Sequence, residues 1–594
     1  MKFTKIIKAA TALTLSAAML VSTAACGGSD TAVQDGPDDG SEMTIDVFDG
    51  LANYQGVQKG WFAKIVKDKF NLKLNMIAPN VSGGSTLFDT RTTAGNLGDI
   101  VVVGYQEMAK LVRTGLVADL TPYLKNEENS KYIKDYANTD QINKNAGGKT
   151  GIYGVPQNVS DMSPVDPSET NEPYAAPYIR WDYYKAVGYP EMNDMDDLLD
   201  VLKQMQDKAR ETEGADDIYA ISLFKDWDGS IMGNAGIFPY FFGYQLSGYG
   251  HVKVDGSEYV DLYNKKSPYY QALKFLNKAN AMGLVDPEST TQTWDTSAQK
   301  FKNGKVLFSI WNFQGQSQFN SPANKAAGKG FMLAPVKNLK VWSSGALPMG
   351  NSTYVAIGSK AKNKERLVKF INWLYSPEGA DILNLNYKGL TYEIKDGQPV
   401  KTAWAEKYDD DNNTPVPDEL GGGTFMDGGP TLNFRSHIIG DTNPETGYKY
   451  DPSTWPSELA KLDTPLDKDF QEHMGGAKTT MEYLQKNDML LVEPGDTIIN
   501  ESEDSADLTL RNQINSESVA TSWKAVFASE NDFEKTIEEG RQKMKGLDYD
   551  KFIAKDEKIA MANVKEKNAY AKQWAAEHKD DASSDSSASS ETDK

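Results

Sequence analysis

The side chains best suited to chemistry are aromatic rings with polar neighbours. Trp311, Asn312 and Gln314 follow an apolar run, Val306 to Ile310, that reads as a buried strand. Trp294, with Asp295 beside it, and Trp227 fall in loop-like contexts, and Trp181 stands between Arg180 and Asp182 where a helix begins. Nearer the start, Asn53, Tyr54 and Gln55 follow the first strand pattern, and Tyr105 and Gln106 follow a strand ending at Val103. An indole or phenol face can lie on the apolar C–H face of a pyranose, while amides, carboxylates and a guanidinium bond its rim of hydroxyls. Such a set binds a sugar without transforming it. The chain has 11 Trp and 29 Tyr, so rings are plentiful, and any one of them would serve equally in a core. Arg180 and Asp182 could bond hydroxyls or only flank the helix start.

Other chemistries find less support. The sequence has no Gly-x-Ser-x-Gly elbow, phosphate loop or HExxH pair. A glycoside hydrolase, the leading alternative, needs two carboxylates across a cleft. With 84 acidic residues such a pair can be drawn anywhere and decides nothing. A binder of peptides or another polar solute also stays open. His251, His437, His473 and His578 show no metal-ligand spacing. Asp409, Asp411 and Asn413 are spaced like the start of a calcium loop, but Thr414 replaces the sixth-position glycine and no Glu occupies the twelfth. The reading is a solvated acidic loop, with neither metal nor cofactor expected. A net charge of -21 leaves no basic surplus for nucleic-acid phosphates.

The first residues read as a targeting segment. Lys2, Lys5 and Lys8 precede an apolar stretch, Ala9 to Val21, too short for a permanent span, so residues 1–25 read as a signal peptide. Thr23-Ala24-Ala25-Cys26 resembles a bacterial lipobox, with Thr23 in place of the usual Leu. That resemblance implies acylation of Cys26 and a lipid anchor on the extracellular face of the cell membrane. Cys26 is the only cysteine, so no intramolecular disulfide can form. Residues 26–42, poor in apolar side chains, read as a tether, and the Ser- and Asp-rich stretch 580–594 as a disordered tail.

Between these ends, strand and helix patterns alternate. Met43, Ile45 and Val47 alternate as in a half-buried strand; Trp61, Ile65 and Val66 recur at helical spacing; Leu72, Leu74 and Met76 alternate again. Asp99 to Val103 is an apolar run suited to a covered sheet. Later helices are punctuated by Asn193 or Asp194, by Ser267-Pro268 with Gly283 at the far end, and by Lys362. Further strands are expected at Lys305–Trp311 and Tyr354–Ile357, and helices at Asp532–Met544 and Lys551–His578. The pattern predicts an α/β fold with largely parallel sheets. Residues 405–520 have few periodic stretches and read as a loop-rich insertion.

The segments Gly98–Val102, Gly115–Tyr123, Tyr153–Pro156, Arg180–Gly188, Phe301–Lys305 and Lys369–Gly379, in that order behind a lipobox, resemble the extracellular solute-binding proteins of family 1, in their long Gram-positive form. The resemblance implies a periplasmic-binding-protein-like fold of two lobes with a hinge, and a ligand held in the cleft between them. It implies delivery to the transmembrane subunits of an ABC permease by a monomer whose only membrane contact is its anchor. It assigns residues 43–158 and 332–385 to lobe one, and 159–331 and 386–579 to lobe two. A tryptophan after the Gly-Lys strand stacks on sugar in related maltose-type proteins, which points to Trp311 and an oligosaccharide. Independently, ligands of open α/β sheets sit beyond the carboxyl ends of strands, which selects the loops carrying Asn53, Tyr105 and Trp311.

Overall fold

The computed structural model describes residues 38–137, 149–496 and 503–578. The expected signal peptide, Cys26, most of the tether and the 580–594 tail lie outside the described residues. The described end of the tether is pinned rather than free. Asp38 accepts from the Arg366 guanidinium, with its Nε at 2.8 Å, and the Gly40 carbonyl accepts from Asn71 at 3.0 Å.

Nine strands build two main sheets. In chain order they are β1 (Met43–Asp49), β2 (Gly56–Val57), β3 (Leu72–Ile77), β4 (Ile100–Gly104), β5 (Val155–Pro156), β6 (Ala175–Arg180), β7 (Phe308–Trp311), β8 (Phe331–Leu333) and β9 (Thr353–Ile357). The first sheet has the order β2-β3-β1-β4-β9-β5 and the second β7-β6-β8. The parallel arrangement expected from the sequence holds for β3, β1 and β4. By contrast, β9 runs antiparallel to both β4 and β5, and β6 antiparallel to both its neighbours. The reason is connectivity: β9 enters from the other lobe instead of through a helical crossover, so nothing obliges it to run parallel.

One consequence fixes the geometry of everything that follows. Thr353 at the start of β9 pairs with Gly104 at the end of β4, and Tyr354 with Pro156 at the end of β5. The chain therefore leaves lobe one at Gln157 and returns at Thr353 along the same edge, the edge where β1 and β4 also end. The two crossings lie side by side, with Gln157 N–H donating to the Thr353 carbonyl at 3.0 Å and Asn351 N–H to the Gln157 carbonyl at 2.8 Å.

Each lobe has its own core. Ile45, Val47, Leu74, Ile100, Val355, Phe370 and Ile371 belong to the first. Tyr178, Leu202, Phe241, Leu276, Phe308 and Leu333 belong to the second. The second core is framed by the helix Met195–Glu213, capped by Asp194, and the helix Pro268–Ala281, capped by Ser267, as the sequence indicates.

The packing redraws the expected lobe boundaries. Residues Ala334, Val336, Leu339 and Val341 pack in the second core, so the return to lobe one falls later than residue 332. Val416, Phe425, Leu432 and Phe434 pack in the first core, against the expectation that all of 386–579 joins lobe two. Trp61 stacks on Phe425 with ring centres 5.2 Å apart and donates its indole N–H to the Phe425 carbonyl at 2.8 Å. Close approach here needs glycine: Gly60 has φ 72°, and a Cβ on it would stand 2.2 Å from the Gly428 Cα. Beyond Phe434 the chain runs beside the first crossing, with Asn158 N–H donating to the Arg435 carbonyl at 2.8 Å. It then reaches lobe two, where Leu466 and Phe470 are buried. The segment 386–495 is thus a third connection between the lobes.

The stretch expected to be loop-rich, 405–520, also contains helices, the longest beginning at Ser505 and ending at Val526. Its buried face carries Ser518, Thr521, Ser522 and Ala525. These small side chains give no apolar periodicity, yet they admit a close neighbour: a Cβ on Gly540 would meet Thr521 Oγ1 at 2.0 Å. Tyr263 and Tyr269 bond this face through the Ser518 and Ser522 hydroxyls at 2.8 Å.

Truncating the long-range stack tests this arrangement. Phe425→Ala removes a buried ring and should cost about 3–5 kcal/mol of lobe-one stability. A urea melt followed by tryptophan fluorescence should show an early transition in the variant. An unchanged midpoint would mean that residues 386–434 are not part of the first core.

Candidate functional site

The edge shared by β1, β4, β5 and β9 opens towards lobe two, because both crossings start from it. Asn53 and Gln106 are exposed there and Tyr54 is half-buried. Two of these residues are partly committed: the Tyr54 hydroxyl donates to the Val57 carbonyl at 2.8 Å, and the Gln55 side-chain carbonyl accepts from Ala78 N–H at 2.9 Å. Tyr105 is buried and packs near Tyr354, which places its ring with the core of the sheet. Beneath the edge, Asp49 accepts from the backbone N–H of Leu51 at 3.0 Å and of Asn433 at 2.8 Å. Burial raises its pKa from the ordinary value.

The end of lobe two where β6 begins and β7 ends is aromatic. Trp311 ends β7 and pairs with Ala175 at the start of β6. Asn312 N–H donates to the Tyr174 carbonyl at 3.3 Å, so Tyr174 stands beside Trp311 across the strand pair. Phe313 stacks on Trp311 with centres 5.5 Å apart, and Tyr174 lies 5.8 Å from Phe313. Trp227 is 4.9 Å from Trp294, 5.6 Å from Trp311 and 5.9 Å from Phe313. The Trp294 position is fixed by Thr293, which caps its helix, and by Asp226, which accepts its backbone N–H at 2.7 Å. Asp295 is exposed on the first turn of that helix.

Three tryptophans singled out in the sequence therefore share one cluster, but unequally. Trp311 is only 3% exposed and forms the floor, whereas Trp227 and Tyr174 are each 44% exposed. Among the described residues the Trp311 indole N–H meets no partner at hydrogen-bonding geometry. Gln314 turns inward, accepting from the Ser309 hydroxyl at 3.0 Å. The open rings, Trp227 and Tyr174 with half-buried Phe313, make a shelf on which a flat apolar face can stack. Tyr174 and Phe313 escaped sequence reasoning, although Phe313 is next to two selected residues.

Arg180 and Trp181 stand elsewhere. They lie at the far end of β6, roughly 17 Å from Ala175 at about 3.3 Å per residue. Both are buried, and both have protein partners. Arg180 grips Asp182 at 2.7 and 2.9 Å and lies over the Phe319 ring, and Trp181 donates to Asp469 at 2.8 Å. They hold the helix start and the 465–473 segment rather than line the cleft.

Behind Asn312 lies a hollow of about 360 Å³ bounded by Glu172, Gln316, Asn320, Lys325 and Asp467. Burial pushes the Glu172 carboxyl pKa up to about 7, against the lowering effect of the neighbouring Thr480 and Gln316. Glu169, half-buried nearby, accepts from the Tyr174 N–H at 2.9 Å and helps fix the shelf. Among the described residues no group of three His, Cys, Asp or Glu side chains is arranged to hold a metal. In the acidic loop, Asp411 instead accepts from Asn413 N–H at 3.0 Å, and Asp409 pairs with Lys401.

Two α/β lobes joined along one sheet edge, with a polar rim on one and an aromatic shelf on the other, are the architecture of a two-lobed solute-binding protein. The profile of the bacterial extracellular solute-binding proteins matches residues 55–381, more than half of the chain, and the chain belongs to that family. Lipoprotein LipO of Bacillus subtilis is 25% identical over 305 residues, 48% of this chain and 55% of LipO. An uncharacterized Niallia circulans protein is 26% identical over 129 residues, 21% of this chain and 50% of the relative. The matches thus span about half the length of these curated relatives. Among solved structures, a human-milk-oligosaccharide-binding, ABC-transporter-associated solute-binding protein from Bifidobacterium longum infantis has a TM-score of 0.56 at 14% identity, covering 88% of this chain and 99% of that one. Alginate-binding protein AlgQ2 has a TM-score of 0.53 at 16% identity, covering 87% and 97%. The Streptococcus pneumoniae substrate-binding protein FusA, in complex with kestose, has a TM-score of 0.52 at 14% identity, covering 90% and 100%. At these identities the likeness establishes the fold.

The Glu172 carboxyl generates a pH prediction. Its folded pKa of about 7 exceeds the unfolded value near 4.5, so the folded state holds a proton that the unfolded state releases. Its contribution is intact below pH 4.5 and is lost as pH rises through 7. Urea midpoints at pH 5 and 8.5 should show wild type losing more stability than Glu172→Gln over that interval. Parallel losses would show that Glu172 titrates normally.

Proposed function

We propose that the chain is the substrate-binding lipoprotein of an ABC importer, capturing an oligosaccharide between its lobes and passing it to the permease. What supports this reading is the shelf of Trp227, Tyr174 and Phe313 on one lobe together with the polar edge carrying Asn53 and Gln106 on the other. A sugar ring offers the two surfaces this pair accepts: C–H bonds for the rings and hydroxyls for the amides. Trp294, Asp295, Trp311 and Asn312 support the shelf from below and beside it. Binding across two hinged lobes favours the closed form, and that closed shape is what a permease can distinguish from the empty one. The sugar ligands named for the human-milk-oligosaccharide-binding protein, AlgQ2 and FusA lend support, as does the lipoprotein LipO for a membrane anchor.

Anchoring at the extracellular face is assigned to acylated Cys26. No described helix is long and apolar enough to cross a membrane. Under this reading the protein works as a monomer with no catalytic role, and neither metal nor cofactor takes part.

Calorimetric titration against a glycan panel is the direct test, with the sugar recovered intact afterwards. Trp227→Ala should weaken the best ligand about ten- to a hundredfold, the 1–3 kcal/mol expected of a lost stacking face, while the denaturant midpoint stays close to wild type. Turnover that persists through repurification would favour the hydrolase, and binding of peptides alone would change the ligand class. Separately, Cys26→Ala should move the protein from the membrane fraction to the medium. Retention on membranes after a salt wash would remove the lipid anchor from the account.

A further inference from the structure

The segment Asn433–His437 brings an unpaired guanidinium to the crossing edge. Phe434 and Ser436 are buried, with Phe434 in the first core, whereas Asn433 and Arg435 are exposed. This alternation puts Arg435 on the face turned away from the core of lobe one. The segment is held on both sides. The Asn433 amide donates to the Leu51 carbonyl, just past the end of β1, at 2.8 Å, and the Arg435 carbonyl receives Asn158 N–H, just past the end of β5, at 2.8 Å. Arg435 therefore stands on a braced backbone along the edge from which both crossings leave.

Its side chain is unlike the other arginines. Arg91, Arg180, Arg366, Arg511 and Arg541 each pair with a carboxylate, and Arg210 donates to a backbone carbonyl. Among the described residues Arg435 has neither kind of partner, in a chain with 84 acidic residues against 63 basic ones. It is open to solvent, yet protein crowds it enough for desolvation to push its pKa below the ordinary value, with no nearby carboxylate to offset this. Accessible, crowded and uncompensated is the condition of a cation lining a cleft, not of one on a convex surface. Leaving a guanidinium desolvated and unpaired is costly, and a ligand carboxylate would remove that cost.

We infer that the oligosaccharide is acidic, with a sugar carboxylate, as in a uronic or sialic acid, docking on the Arg435 guanidinium while a neighbouring ring lies on the Trp227 shelf. The inference rests on the sugar-import reading above and narrows it. The net charge of -21 does not oppose it, because charges farther than about 8 Å are largely screened at physiological salt, whereas a contact pair in a cleft is not. A planar fork also suits a carboxylate better than a hydroxyl, since two parallel hydrogen bonds fix its orientation.

The test uses full-length mature protein and matched sugars: trigalacturonate, a hyaluronan tetrasaccharide and 3′-sialyllactose, each beside its neutral counterpart of the same linkage. Calorimetry should find at least one acidic sugar bound at least tenfold more tightly than its neutral partner. Arg435→Gln should weaken that acidic sugar by about 10- to 100-fold, the range for a lost charge-assisted bond, and leave the neutral partner's affinity and the urea midpoint unchanged. Arg435→Lys should restore part of the loss, keeping charge without the fork. Neutral sugars binding as well as acidic ones, or Arg435→Gln binding the acid like wild type, would overturn the acidic specificity and leave the import reading standing. A protein that binds none of these sugars, acidic or neutral, would overturn both.

Discussion

The direction of β9 governs the molecule. A parallel strand in that position would have brought the chain back at the opposite edge of the sheet, a strand length from where it left. Running antiparallel between β4 and β5, it puts exit and return on one edge, joined by hydrogen bonds between Gln157, Asn351 and Thr353. The lobes then share a hinge line, and every loop beyond the ends of β1, β4 and β5 faces the other lobe. Site and hinge coincide because both are products of one strand's orientation.

The second lobe answers with a different economy. Its sheet contributes only three strands, and its interlobe end carries rings rather than amides. Trp311 is placed by the pairing with Ala175, and is then used as a floor on which Phe313 and Trp227 rest, with Trp294 packed against both of those rings. A buried ring beneath exposed ones keeps the shelf rigid, so that stacking need not first order mobile side chains. Polar groups lie on one lobe and aromatic ones on the other, so under the proposed function each half of the site is incomplete alone.

Local patterns in the sequence reached part of this. Alternation located β1 and β3, and cap residues such as Asp194 and Ser267 located helices, because those signals lie within a few residues of the elements they define. The strand-end rule led to Trp311 and its neighbours for the same reason. What escaped depends on partners far along the chain. Arg180 and Trp181 look like a site in Arg-Trp-Asp, yet Trp181 is taken by Asp469, 288 residues later. Tyr174 carries no local motif and becomes a shelf residue only through the β6–β7 register. The helix from Ser505 to Val526 hid because its buried face mixes Ser518, Thr521, Ser522 and Ala525 with Ile514, Trp523 and Val526, and Thr521 is placed for closeness to Gly540 rather than for hydrophobicity. The lobe assignment of residues 386–434 rests on contacts such as Trp61 with Phe425, which no window along the sequence can contain.

That last contact also sets a clock. Trp61 and Phe425 are 364 residues apart, and at synthesis rates of about 5–20 residues per second roughly 20–70 s pass between the appearance of the two rings. Until then the first core lacks one wall. The segment that bridges the lobes is therefore the last part of that core to be made, and the core closes only when the chain has been extended well past the residues that form its sheet.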